Sequence, residues 1–154
     1  MTSRLARMAA LALAGALLAT TPAQAGTEDD PTDVLGTWSF RTKPYRGGEC
    51  LMTGTMYLTP HPDADQYTCE LTAVEVCTLW GRSVVRQSCK ARRFGDQLSI
   101  RSEIEEMLES KVEGLIYVPD NFTLTIQSAN RMYGALVSAV TGPAEFRRAN
   151  DGIS

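Results

Sequence analysis

The sequence predicts an all-β protein, an eight- or nine-stranded antiparallel up-and-down barrel that is stapled by disulfides. Apolar and polar side chains alternate at every second position in segment after segment of the chain. Turn residues separate these segments at intervals of about a dozen residues, a spacing typical of all-β folds. Four cysteines form an even set, which suits a small stapled domain.

The alternation is clearest at residues 98–104 and 122–126. Because successive side chains of a strand point to opposite faces, each segment predicts a strand with one buried face. Residues 105–111 (EEMLESK) break the pattern, so we expect the strand to end near Ile104 and a loop or short helix to follow. The same alternation predicts the other strands around residues 38–40, 52–58, 67–73, 85–91, 132–138 and 146–148.

The predicted inward faces carry large apolar side chains in nearly every strand. A barrel of about eight strands is just wide enough for side chains to fill it or to hold one small ligand. The number of large inward side chains favours a filled interior, whereas the flexible methionines could line a small pocket. If an apolar ligand is held, we expect it to contact five of these residues: Trp38, Met52, Met56, Tyr67 and Phe122.

Residues 1–25 have the features of a secretory signal peptide. Two arginines precede an apolar run over residues 8–19, and Ala23 and Ala25 form an A-x-A cleavage site. Cleavage after Ala25 predicts a periplasmic or secreted bacterial protein. The rest of the chain then divides into a flexible acidic arm at 26–33, a barrel domain at 34–148 and a flexible tail at 149–154.

The charge of the chain argues against two classes of partner. The formal charge is −3, and it becomes −5 once Arg4 and Arg7 leave with the signal peptide. Nucleic acids and anionic lipid surfaces both require a basic face. We therefore expect no nucleic-acid partner and no binding to anionic lipid. With the signal peptide cleaved we also expect no membrane anchor, and the expected partners are a small apolar ligand or a protein of the cell envelope.

All four cysteines follow the predicted signal peptide, and in an exported chain such a set indicates two disulfides. Three connectivities are possible. An antiparallel meander favours one of them, because it brings Cys50 near Cys77 and Cys69 near Cys89, within the roughly 7 Å that a disulfide spans. The cysteines lack the close spacing typical of zinc sites, so we expect no metal and no cofactor.

The sequence offers little for catalysis. The single histidine, His61, lies between two prolines in a predicted turn, so a Ser–His pair has no support. Glu103, Glu105 and Glu106 lie close together and suggest paired carboxylates, but the parity of Glu103 and Glu105 places these two on the solvated face of a strand. The cysteines are expected to be oxidised and so cannot act as thiolate nucleophiles. We expect no enzymatic activity.

A G-x-W motif formed by Gly36 and Trp38 opens the first predicted strand, and Phe146, Arg147 and Arg148 end the last one. In this pattern the chain resembles the calycin group of small barrels, which includes lipocalins and avidins. The resemblance implies that Trp38 sits at the closed end of the barrel with an arginine across its ring, Arg148 by parity or else Arg147. It also implies an exported, non-enzymatic binding protein for a small apolar ligand.

The chain also resembles the small bacterial inhibitors of secreted metalloproteases. Those proteins are exported, disulfide-stapled, eight-stranded barrels with a mobile N-terminal arm. The resemblance implies a second possible function, protease inhibition, in which residues 26–33 enter the protease cleft. The two hypotheses place the functional surface on different parts of the chain, the barrel or the arm.

Overall fold

The computed structural model describes residues 33–149, which form a closed barrel of eight antiparallel strands. Each strand pairs with the next one along the chain, and the first pairs with the last. The all-β, up-and-down barrel is therefore confirmed, with eight strands rather than nine. The strands are β1 (Gly36–Thr42), β2 (Cys50–Pro60), β3 (Gln66–Cys77), β4 (Gly81–Phe94), β5 (Gln97–Glu109), β6 (Asn121–Ser128), β7 (Arg131–Val137) and β8 (Thr141–Arg148).

Three predicted regions fall largely outside the described residues. They are the signal peptide at 1–25, the arm at 26–33 apart from Asp33, and the tail at 149–154 apart from Ala149. Their assignments stay predictions. Among residues 33–149, no helix is long and apolar enough to cross a membrane.

Both predicted disulfides are confirmed. Cys50 of β2 lies directly opposite Cys77 of β3, and the Cys69–Cys89 pair lies opposite across β3 and β4. The paired Cα atoms are 4.1 and 4.8 Å apart, respectively. Each bond joins neighbouring strands at positions that the barrel register places side by side. Two such bonds are typical of proteins in an oxidising compartment.

The expected end of the fifth strand near Ile104 is wrong. β5 continues to Glu109, and outward arginines of β4 form ion pairs with Glu106 and Glu109. Two register shifts interrupt the pairing with β4, and β5 carries an extra residue at each of them. An extra residue reverses the inward–outward parity of the residues that follow, so the first shift reverses the parity and the second restores it a few residues later. The alternation therefore disappears from the sequence although the strand continues.

The centre of the barrel is filled mainly by aromatic side chains. Phe40, Phe122 and Phe146 pack against one another with ring centroids between 5.0 and 5.3 Å apart. Gly54 lies opposite Phe40, and a Cβ at this glycine would lie 2.4 Å from the phenylalanine ring. The ring therefore occupies the space that the missing side chain leaves. Around this cluster the buried wall includes Leu71, Ile100, Leu124, Met132 and Leu136.

An arginine and a tryptophan close one end of the barrel. The central guanidinium carbon of Arg148 lies 4.5 Å from the centre of the Trp38 ring, the distance of a cation–π contact. Arg148 also donates hydrogen bonds to the carbonyl oxygens of Asp33, Leu35 and Ala129 at distances of 2.5 to 2.7 Å. This side chain thus ties the segment that enters β1 to the turn between β6 and β7.

The backbone conformation at Gly36 explains why the G-x-W motif begins with glycine. Gly36 has a φ of 100°, a region that side chains with a Cβ rarely adopt. A Cβ at Gly36 would also lie 3.4 Å from a guanidinium nitrogen of Arg148. Two residues later Trp38 is fully buried, and its indole N–H donates to the carbonyl of Val34 at 2.9 Å.

Candidate functional site

Four connections between strands meet at the end of the barrel opposite Trp38. Because the strands alternate in direction, residues 43–49, 78–80, 110–120 and 138–140 all lie at this end. We call it the mouth. The longest of the four connections joins β5 to β6 and is the largest element available to cover the opening.

Side chains from three of these connections pack onto the core beneath the mouth. They are the half-buried Tyr45, Tyr117 and Val140, one from each connection. The mouth is therefore covered by side chains from the loops, whereas the opposite end is closed by the arginine–tryptophan pair. Any ligand that binds at the mouth therefore contacts these covering side chains or displaces them.

A cavity of about 100 Å³ lies at the mouth. Its walls include Met52 and Glu75 from the barrel and Trp80, Tyr117 and Asp120 from the connections. A site for a drug-sized ligand needs about 300–1,000 Å³, whereas one water takes about 30 Å³. The cavity thus fits one small polar group, and anything larger has to extend outwards past the connections.

Asp120, the residue before β6, is fully buried beside this cavity. Its Oδ2 accepts hydrogen bonds from the Gln87 side-chain amide at 2.7 Å and from the Tyr117 hydroxyl at 2.9 Å. Its backbone N–H donates to the Gln87 side-chain oxygen at 2.9 Å, and its carbonyl accepts from the Ser102 hydroxyl at 2.7 Å. The three bonds with Gln87 and Ser102 fix the residue against β4 and β5, and the bond from Tyr117 holds it within its own connection.

The other carboxyl oxygen, Oδ1 of Asp120, has no hydrogen-bond partner among residues 33–149. The Ser138 hydroxyl lies close enough to act on this carboxyl as a hydrogen-bond donor that lowers its pKa, but its single hydrogen is donated to the carbonyl of Val118 at 3.0 Å. Burial removes water from a polar atom, and the loss is unfavourable unless a new partner replaces it. Oδ1 is therefore an acceptor that lacks a donor.

A second acidic residue, Glu75, lines the same cavity and is half-buried. The Tyr45 hydroxyl donates a hydrogen bond to its Oε1 at 2.5 Å. The one cation among the lining residues is Arg46, whose guanidinium lies 5.5 Å from the centre of the Trp80 ring. Two carboxyl groups thus face the cavity together with one guanidinium, which is stacked on an indole.

The surroundings shift the protonation of three groups at the mouth. Burial raises the pKa of Asp120 to about 6; hydrogen bonding by Gln87, Tyr117 and Ser138 opposes this rise, and the Glu75 charge adds to it. Burial also raises the pKa of the Tyr45 and Tyr117 hydroxyls above their usual range. Both tyrosines therefore keep their protons and act as donors to the carboxylates.

Asp120 should make the stability of the fold depend on pH. A carboxyl with a raised pKa holds its proton more tightly in the folded state, so its contribution favours folding at low pH and is lost as pH rises through about 6. From this group we expect the free energy of unfolding to be on the order of 1 kcal/mol higher at pH 5 than at pH 7.5. Urea titrations of the wild type and Asp120→Asn at both pH values measure the difference. It should shrink in the variant, and an equal pH dependence in both proteins would contradict the assignment.

The five residues predicted to contact a ligand do not form one group. Met52 lines the cavity at the mouth. Trp38 lies at the opposite end, with Met56 as its partner across the β1–β2 pair. Phe122 belongs to the central aromatic cluster, and Tyr67 is half-buried near the start of β3. Their ligand-binding role stays a prediction, and Met52 is the member of the set that adjoins this cavity.

Gln87, Asp120 and Tyr117 were not anticipated as site residues. Gln87 lies between Val85 and Cys89 at inward parity, and a polar residue at such a position was a usable signal. Asp120 stands in the tripeptide Pro-Asp-Asn, which is typical of an exposed turn. The sequence gives no sign that this aspartate pairs with a glutamine 33 positions earlier.

One cluster in the described part of the chain brings three potential metal ligands together. Atoms of Cys50, Glu75 and Cys77 lie within 4.8 Å of one another. The two cysteines are joined as a disulfide, so neither offers the thiolate that a metal requires. The cluster therefore does not suit a metal ion in the oxidised protein.

A larger concavity, of about 510 Å³, lies away from the mouth. It crosses β2 to β5 and is lined largely by outward-facing residues of those strands, including Tyr57, Glu70, Lys90 and Arg101. The groove is open to solvent and its charges are of both signs. The mouth differs from it in holding a buried acceptor without a donor, so the mouth is the stronger candidate for a specific site.

No protein-family model and no curated protein matches this chain. Its fold is similar to that of several designed barrels of known structure. The redesigned β-barrel b11L5F_LGL is 14% identical with a TM-score of 0.54, over 75% of this chain and 91% of that one. The redesigned barrel mFAP1, solved bound to DFHBI, is 14% identical with a TM-score of 0.50, and the match covers 75% of this chain and 94% of that one. A de novo designed fluorescence-activating barrel is 19% identical with a TM-score of 0.46, and the match covers 75% of this chain and 93% of that one. At these identities the likeness concerns the fold, and the chain is similar in architecture to designed β-barrels.

Proposed function

We propose that this protein is an exported, non-enzymatic binding protein of lipocalin-like architecture, which holds a small ligand with an apolar part at the mouth of its barrel. The observation that carries the proposal is the cavity there, which combines apolar walls with the buried Asp120 carboxyl. Small-molecule sites are mostly apolar and contain a few placed polar groups. The likeness to mFAP1, a redesigned barrel bound to DFHBI, supports the fold as a host for a small molecule.

Exposed aliphatic side chains beside the cavity supply the surface for the apolar part. Ile116 and Val118 line the cavity and expose 89% and 42% of their surface, and Leu79, the residue before the lining Trp80, exposes 71%. We call these three residues the apolar rim. Grouped exposed apolar side chains are typical of ligand or partner surfaces. Because the cavity is small, the ligand has its polar end inside and its apolar body against the rim.

Replacing Ile116 by aspartate should weaken the binding of a neutral apolar probe. The probe N-phenyl-1-naphthylamine gains fluorescence when it leaves water, so titration of the disulfide-bonded protein gives its Kd. Loss of one aliphatic contact and gain of a charge should raise that Kd about fivefold or more. Because Ile116 is almost fully exposed, the substitution should leave the fold intact.

Phe94→Asp is the matched control for this experiment. Phe94 is also an exposed apolar residue, at 61%, but it ends β4 at the opposite end of the barrel. Its replacement should leave the Kd of the probe unchanged within twofold. Equal weakening by both substitutions would indicate non-specific adsorption, and no fluorescence gain with any of the proteins would remove the support for a ligand site at the mouth.

The alternative function, protease inhibition through residues 26–33, stays a prediction. Apart from Asp33, that segment lies outside the described residues. The carbonyl of Asp33 accepts a hydrogen bond from Arg148 at 2.7 Å, so the segment would leave the barrel at the closed end. The two functions therefore use opposite ends of the barrel.

A further inference from the structure

The polar end of the ligand can be assigned from the groups that face the cavity. Given the binding function proposed above, we propose that the mouth recognises a protonated amine with an apolar chain, whose ammonium group is held by Asp120 and Glu75 while its chain lies on the apolar rim. The ligand class is therefore an alkylammonium compound or another amphiphilic amine.

The balance of donors and acceptors favours a ligand rich in donors. Gln87 and Tyr117 already donate to Oδ2 of Asp120, and Tyr45 donates to Glu75. Oδ1 of Asp120 is left without a donor although it is buried. An ammonium group brings three N–H donors and no acceptor, so it matches the unpaired acceptor Oδ1.

The balance of charge points the same way. Two carboxyl groups, those of Asp120 and Glu75, line the cavity with the single guanidinium of Arg46. An ammonium ion between two carboxylates forms charge-assisted hydrogen bonds, which are stronger than neutral ones. A ligand carboxylate brings no donor and is repelled by both acids. The rings of Trp80 and Tyr117 also line the cavity, and aromatic faces attract cations.

The dimensions of the site match a small head on a longer chain. A cavity of about 100 Å³ accepts an ammonium group, which is comparable in size to a water molecule, but it does not accept an alkyl chain. The chain can extend outwards over Ile116 and Val118, which line the cavity and are exposed to solvent. Since Oδ1 has almost no surface accessible to solvent, the side chains that cover it have to move before the head can reach it.

The charge on Asp120 also makes amine binding depend on pH. The titratable groups facing this carboxyl are Glu75 on β3, Tyr45 on the 43–49 connection and Tyr117 on its own segment, with the permanently charged Arg46 near Tyr45. Both tyrosines keep their protons in this range. Protonation of Asp120 below its pKa of about 6 removes the ionic partner of the amine. Affinity for an amine should therefore fall by up to about tenfold per pH unit below 6.

Three probes of equal chain length separate the head group from the tail. Octylammonium, octanol and octanoate are titrated by calorimetry into the full exported chain with both disulfides intact, at pH 7.5. We expect octylammonium to bind at least tenfold more tightly than octanol, and octanoate to bind more weakly than either. Repeating the titrations down to pH 5 should weaken the amine and leave the alcohol unchanged.

Asp120→Asn removes the charge while its side-chain oxygen can still accept the bonds from Gln87 and Tyr117. It should bring the affinity for octylammonium down at least tenfold, to the level of octanol, and leave the affinity for octanol unchanged within twofold. Glu113→Gln, an exposed acid in the same connection, is the control for diffuse attraction and should change neither affinity. Should Asp120→Asn fail to fold, the pH series on the wild type makes the same test without a substitution.

The outcomes distinguish this proposal from the binding function on which it rests. If none of the three probes binds, the ligand site at the mouth is refuted together with its ligand class. If octanol or octanoate binds as tightly as octylammonium, the site stands and the amine assignment is wrong. An octylammonium affinity that is independent of pH between 5 and 7.5 would also overturn it, because Asp120 would then not be the partner.

Discussion

Replacing Gly134 by alanine should destabilise the barrel by at least about 3 kcal/mol, although it adds one methyl group. A Cβ at this position in β7 would lie 2.0 Å from the carbonyl oxygen of Thr123 and 2.8 Å from the Cα of Leu124, both in β6. These are backbone atoms of the adjacent strand and cannot rotate away as a side chain can. The two strands would have to separate, which would break ladder hydrogen bonds in a closed barrel. Urea unfolding followed by far-ultraviolet circular dichroism measures the loss.

Gly142→Ala provides the matched control, because it makes the same substitution in a neighbouring strand. A Cβ at Gly142 in β8 meets no atom within 4 Å, and its backbone is not in the left-handed region. Its free energy of unfolding should stay within about 0.5 kcal/mol of the wild type. If Gly134→Ala were as stable as Gly142→Ala, β6 and β7 could not approach each other as closely as the structure has them.

Local patterns in the sequence were enough to predict most of the fold. Alternation at residues 98–104 and 122–126 marks strands because each contributes one face to the same core, so the signal is contained in a few consecutive residues. Disulfide pairing was also accessible, since a meander of adjacent strands fixes which positions lie opposite. Cys50 and Cys77 are found at directly opposed positions of β2 and β3.

The same reasoning fails where geometry departs from a regular strand. The register shifts between β4 and β5 change the parity of the later residues of β5, and nothing in EEMLESK indicates where an extra residue is accommodated. Strand length in this part of the barrel depends on what the partner strand does. The length of β5 is therefore set by its pairing with β4 and not by the sequence of β5 alone.

The candidate site was even less accessible from sequence. Met52 was predicted to contact a ligand because of its inward parity, and it does line the cavity at the mouth. Asp120 and Gln87 meet because the connection before β6 folds back against β4, a contact between residues 33 positions apart in the chain. Each residue by itself has an ordinary explanation, a turn residue or an isolated polar residue on a strand. The chemistry of the site exists only once the two are together.

Replacing Arg148 by methionine should destabilise the protein by about 3 kcal/mol and loosen its closed end. Methionine keeps much of the apolar stem but loses three hydrogen bonds from a charged donor, to the carbonyls of Asp33, Leu35 and Ala129. It also loses the cation–π contact with Trp38. The indole N–H of Trp38 donates to a carbonyl in the segment that Arg148 anchors, so its exchange with solvent should become faster in the variant.

Arg147→Met tests whether this effect belongs to one position or to basic charge at the end of β8. Arg147 points outwards, with 67% of its side chain exposed, and pairs with Glu145 on the surface. Exposed ion pairs contribute about 0–1 kcal/mol, so this variant should remain close to the wild type in stability and in indole exchange. Arg148→Lys should behave like Arg148→Met, because an ammonium group cannot reach three carbonyls at once while lying across a ring. Equal losses in the Arg147 and Arg148 variants would mean that the closed end is held by general electrostatics. A selective loss at Arg148 would mean that one guanidinium joins the start of β1, the ring of Trp38 and the β6–β7 turn into a single unit.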